Sequence, residues 1–151
     1  MLSRGVMVVG RRRRDRPTRP AWWLDRILHS PRPLNERMTL FRHDLFATSI
    51  AKVRQPHLMK PQNATIRRHA VGSFRPLRLE MSRDPNRLIG LDSNRNVAGR
   101  PNENDARELM ELFSLGVGDS TEADVREAAR AFTGWHTDGT AFTRRGPPWR
   151  W

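Results

Sequence analysis

Asn102–Trp135 reads NENDARELMELFSLGVGDSTEADVREAARAFTGW, and this stretch decides the fold class. Ala106, Leu109, Met110 and Phe113 fall at i, i+3, i+4 and i+7, the spacing of a single helical face. GVGD then interrupts the pattern. Thr121 followed by Asp124 is a capping-box signature. Behind it, Val125, Ala128, Ala129 and Phe132 repeat the helical spacing, and Gly134 closes the second helix. Two helices and a turn are expected here.

Working upstream, Asp92–Pro101 is polar and contains Gly and Pro, so it reads as a loop. Pro85 opens a short turn-helix to Leu91. Ser73 is placed to cap a helix with Phe74, Leu77 and Met81 inward. Another helix covers Leu58 to Val71 and stops at Gly72. From Leu34 to Ser49, the residues Leu34, Met38, Phe41 and Leu45 form one stripe, with His43 on the opposite side near Leu40, Phe46 and Ala47. Ala21–Ser30 makes a first short helix anchored by Trp22, Trp23, Ile27 and Leu28, ended by Pro31 and Pro33. No segment alternates as a strand should, and no internal repeat is present. The expected class is all-α: an irregular multi-helix domain over residues 21–136, between disordered tails at 1–20 and 137–151.

The chain has 151 residues, enough for one domain with a core. It contains no cysteine, which excludes disulfides and thiolate metal sites. The formal charge is +12, a value that invites a nucleic-acid reading. It is unevenly placed. Residues 1–20 carry seven Arg and one Asp, residues 137–151 carry three Arg and one Asp, and the middle is only mildly basic at +4. Arg11, Arg12, Arg13 and Arg14 suit nonspecific binding to phosphate backbones, set against a solvated tail. No apolar run approaches the length of a membrane span, and the apolar GVMVVG precedes the Arg run, the reverse of a secretory signal. A cytoplasmic location is the default expectation.

Three groups of residues invite chemistry. Glu103, Arg107 and Glu111 share one face of the first helix in the opening stretch, with the acid N-terminal to the base in the favourable i, i+4 order. Asn104 and Glu108 lie on the neighbouring stripe, which continues into Leu112 and Leu115. Glu108 is thus expected to be partly buried and to need a partner, for which His43, Arg68 and His69 are candidates. One reading is an ion-pair network that locks helices. The sharper one is a site: Glu108, Glu103 and His43 as general base or metal ligands of a hydrolase, with Asn102, Asn104, Arg107 and Glu111 as ligand contacts. Asp92, Asn94, Asn96 and Glu103 occupy positions 1, 3, 5 and 12 of a twelve-residue loop, a spacing that resembles a calcium loop. Val97 at position 6 and Arg100 at position 9 depart from it. The five histidines form no pair at metal spacing, so no zinc site is expected.

The opening stretch, together with NERMTLFRHDLFATS, QNATIRRHAVGSF and SRDPNRLIGLD upstream, resembles the bacterial family called domain of unknown function 1800, over about Trp22 to Trp135. The resemblance implies a mostly helical protein, often exported, of no established activity. Where the family pattern has an aromatic after NEN, this chain has Asp105. Where it has F-W-H-x-H-F, the chain has Arg42 for the Trp and Leu45 for the second His, keeping His43 alone. Family chains are longer, so a fragment is expected, with one or both Arg-rich ends out of frame. It would have no independent catalysis, and its uncovered apolar faces would favour self-association.

Overall fold

The computed structural model describes residues 19–46, 48–111, 116 and 118–146. The all-α expectation holds, with one small addition. Eight α-helices are described: α1 Arg19–His29, α2 Pro33–Phe46, α3 Ile50–Val53, α4 Pro56–His69, α5 Phe74–Met81, α6 Pro85–Gly90, α7 Asn104–Glu111 and α8 Glu122–Ala131. A 3-10 turn, Ser93–Arg95, lies between α6 and α7. Among the described residues no helix is long and apolar enough to cross a membrane.

Local chemistry sets several of these boundaries. Thr121 and Asp124 form the expected capping box: each side chain accepts the other residue's backbone N–H, at 3.2 and 2.9 Å. Asp84 caps α6 by accepting the Arg87 N–H, and Pro85 stands in the first turn, where its missing N–H costs nothing. Ser73 sits at the cap position of α5, but its side chain makes no capping bond.

Two apolar clusters hold the helices together. Phe46, Ile66, Leu77 and Met81 join α2, α4 and α5, with Leu45, Phe74 and Leu109 against them. Ala106, Val125 and Ala129 join α7 to α8, with Met110, Ala128 and Phe132 at the edge. Helix α7 thus touches both: Leu109 reaches the first cluster while Ala106 and Met110 belong to the second.

Two expectations need correction. The single stripe read on α2 does not pack as a unit: Leu34 is 65% exposed and Phe41 61% exposed. The buried positions are Glu36, Thr39 and Phe46. The packed face is set by charge pairing to α4, since Glu36 accepts two hydrogen bonds from Arg67 Nε and one from its Nη2, at 2.9–3.1 Å. The second correction is at the C-terminal end, where a tail was expected from residue 137. Trp135–Thr137 (β1) and Phe142–Arg144 (β2) pair antiparallel, with Trp135 opposite Arg144 and Thr137 opposite Phe142. The hairpin docks through Trp135, whose ring centroid lies 4.8 Å from Phe132 and 5.3 Å from Phe142. Gly134 is required at its root. Its φ is +83°, and a Cβ there would fall 2.1 Å from the Arg145 carbonyl oxygen, which is backbone and cannot swing away.

A buried polar seam as the candidate functional site

The polar residues around α6 and α7 form a seam that starts from a sealed ion pair. Arg87 on α6 is 2% exposed and Asp105 on α7 is 3% exposed. Arg87 Nη2 lies 3.0 Å from Asp105 Oδ1. Asp105 is also held by the Ser93 hydroxyl, which donates to its Oδ2 at 2.8 Å. Burial pushes the Arg87 pKa down, and the charges of Asp105, Glu108 and Asp84 push back. The charge of Glu108 thus bears on Arg87. Arg68 and His69 both turn to Glu80, one helix away.

On its other side the seam runs through α4. Gln62 Nε2 donates to Asp84 Oδ1 at 2.7 Å and to the Thr48 hydroxyl at 3.0 Å. Asn86 Nδ2 donates to Gln62 Oε1 at 3.2 Å. Burial outweighs these bonds at Asp84 and raises its pKa to about 6. Beside Arg87 lies a cavity of about 70 Å³, lined by Phe46, Thr48, Ser49, Lys52, Arg87, Gly90 and Leu91. That is room for roughly two waters.

The asparagines that looked like ligands hold the loop in place. Asn94 Nδ2 donates to the Thr137 carbonyl at 3.0 Å, and its Oδ1 accepts the Thr137 N–H at 2.9 Å. Asn96 Nδ2 donates to the Ala129 carbonyl at 2.7 Å, and its Oδ1 accepts the Asn102 N–H. Asn102 donates to the Asp92 carbonyl, and Asn104 to the Leu91 carbonyl. Asp92, at φ +58°, places its carboxylate 3.2 Å from Lys52 Nζ. The four residues with calcium-like spacing thus reach separate partners: Lys52, Thr137, Ala129 and, for Glu103, Arg107 with Arg126. Among the described residues no group of three or more His, Asp or Glu stands where it could hold a metal ion.

The acidic face of α7 carries an ion-pair network. Arg107 meets Glu122 of α8 through both terminal nitrogens, at 2.9 and 2.6 Å, and Glu111 and Glu103 of its own helix at 3.2 and 3.3 Å. Hydrogen bonding from Arg107 holds the Glu122 carboxyl below its usual range. His43 lies apart from all of this. It packs edge-on against Trp23 of α1, ring centroids 4.8 Å apart, and burial lowers its pKa. His43, Glu103 and Glu108 therefore serve three different neighbourhoods. Arg11 to Arg14 lie outside the described residues.

Sequence reasoning missed Arg87 and Asp105. The one signal was the cap DPNR, which starts a helix at Pro85 but does not say where its fourth residue points. Fold and seam together define a small helical protein whose interior is tied by polar contacts as much as by apolar ones. The chain belongs to the family described as Protein of unknown function (DUF1800), whose model matches residues 8–148 of the 151 and so extends past Trp22 and Trp135 at both ends. No curated protein matches it. No solved structure does either.

Proposed function

We propose that the polar seam is an architectural lock and that this chain serves as a helical unit of a DUF1800 protein, without independent catalysis. The observation that carries this reading is the Arg87–Asp105 pair. Both groups are closed off from solvent, and each is committed to the other across two helices. A catalytic carboxylate or guanidinium has to meet substrate; Asp105 faces protein, and Arg87, although it lines the small cavity, is 2% exposed. The surrounding side chains support the same reading, because Ser93, Asn96 and Asn102 each bond to a neighbouring segment of the chain.

The test is a double-mutant cycle in thermal unfolding with Arg87→Met, Asp105→Leu and the pair. Removing one partner of a buried pair leaves the other charge uncompensated, at a cost of about 3–5 kcal/mol. Arg87 also answers Glu108 and Asp84, so its loss should exceed that of Asp105. A lock predicts strong non-additivity, with the double variant losing much less than the sum of the two single losses. Additive losses, or single variants that melt like the parent, would overturn the proposal.

A further inference from the structure

A second cluster, away from the seam, carries more positive charge than its own packing uses. Where α1, α2 and α4 meet, Glu36 is 1% exposed and accepts hydrogen bonds from Arg26 Nε at 2.9 Å and from Arg67. The Trp22 ring beside it has three cationic groups around it, with Arg67 at 5.4 Å, Lys60 at 5.5 Å and Arg26 at 5.9 Å from the ring centroid. These three cations face one carboxylate, which leaves two positive charges in excess. Arg67 with Arg26 already satisfies Glu36. Lys60 is exposed and makes no ion pair among the described residues. Arg26 engages Glu36 through Nε and is 46% exposed, so the outer edge of its guanidinium faces water.

We propose that Trp22, Arg26 and Lys60 form a receptor for the phosphodiester backbone of a single-stranded nucleic acid. Two solvent-facing cations gathered around one half-buried aromatic ring match the phosphates of such a strand, and a base that displaces the Lys60 amine from the ring would gain a face to stack on. Arg67 lies beneath and fixes the geometry through its two-pronged contact with Glu36. This site is separate from the polar seam and is made of residues on α1 and α4.

The experiment is anisotropy of a labelled oligothymidine of about twelve residues with the full chain, from about 50 to 200 mM salt. Lys60→Gln and Arg26→Gln are compared with the parent, and melting curves confirm that each still folds. Each variant should weaken binding on the order of fivefold and flatten the salt dependence by about 0.7 in log–log slope, one phosphate contact on a single strand. A chain with Arg11 to Arg14 changed to Gln should still show the Lys60 effect. Parent-like binding by both point variants, or complete loss of binding with the Arg run alone, would overturn the proposal. Displacement of the strand by millimolar pyrophosphate at constant ionic strength would overturn the strand assignment in favour of a small phosphate compound.

Discussion

Glu36 offers a quantitative test of how the helices are held. Glu36→Gln keeps the shape of the side chain and one carbonyl acceptor but removes the charge that faces Arg26 and Arg67. Arg67 is only 13% exposed, so it would be left as a buried cation beside Trp22. Arg26 is 46% exposed and can turn to water. Breaking a buried pair costs about 3–5 kcal/mol, and the freedom of Arg26 places the expectation near about 3 kcal/mol. For a chain of this size each kcal/mol moves Tm by roughly 2–4 °C, so the variant should melt about 6–12 °C below the parent at pH 7. Burial raises the Glu36 pKa, the bonds from Arg67 and Arg26 lower it, and the net direction is down. A lowered folded pKa means the stabilisation is complete above the unfolded value near 4.5 and fades as pH falls through the folded one. The gap between parent and variant should therefore close on acidification below about pH 4. Calorimetric melts from pH 7 down to about pH 3 give the readout. A Tm loss under about 2 °C at pH 7, or a gap that does not change with pH, would refute the reasoning.

Asp84 titrates with the opposite sign. Its pKa is raised to about 6, so the folded state holds a proton that the unfolded state has released, and stability falls as pH rises from about 4 to 6. Asp84→Asn keeps an acceptor for the Arg87 N–H and should remove that slope, which melts across pH 4–7 will show; Asp84→Ala should lose about 1 kcal/mol or more through the lost cap. Gly134→Ala should undock the hairpin, read as faster proteolysis within 135–146 and a changed near-ultraviolet signal from Trp135. Asn96→Ala should raise amide exchange at Asn102 and lower Tm, since it leaves the Asn102 N–H without its acceptor and takes the shorter of two donors from the Ala129 carbonyl.

The helices of this protein are legible wherever a cap and an apolar spacing agree. Thr121 with Asp124, and Val125 with Ala129, specify α8 from both directions, and the acidic face of α7 follows from the shared stripe of Glu103, Arg107 and Glu111. The orientation of α2 is not legible. Its stripe Leu34–Met38–Phe41–Leu45 has helical spacing, but the face that packs is fixed by Arg67, thirty-one residues away from Glu36. The hairpin escapes notice because three-residue strands are too short to display alternation, and what docks it is Trp135 wedged between Phe132 and Phe142. The seam is hidden for a related reason. Arg87 and Asp105 are ordinary charged residues until two helices bring them together, and the asparagines of the 92–104 loop look like ligands because carbonyl groups of the chain are invisible in a sequence. The polar character of the site was legible, and its partners were not.

The lacing of that loop governs the order in which the chain can assemble. Asn94 closes on Thr137 and Asn96 on Ala129, spans of 43 and 33 residues. During synthesis the loop between α6 and α7 therefore emerges with two side-chain amides, those of Asn96 and Asn94, whose mates Ala129 and Thr137 have yet to be made. Helices α2, α4 and α5 can condense around Ile66 and Leu77 well before that. The 92–104 segment, α8 and the hairpin must then close in one late step, dominated by long-range contacts and correspondingly slow. Any slow folding phase should be sought in that closure, and it should respond to Asn94 and Asn96 more than to the apolar residues of the first cluster.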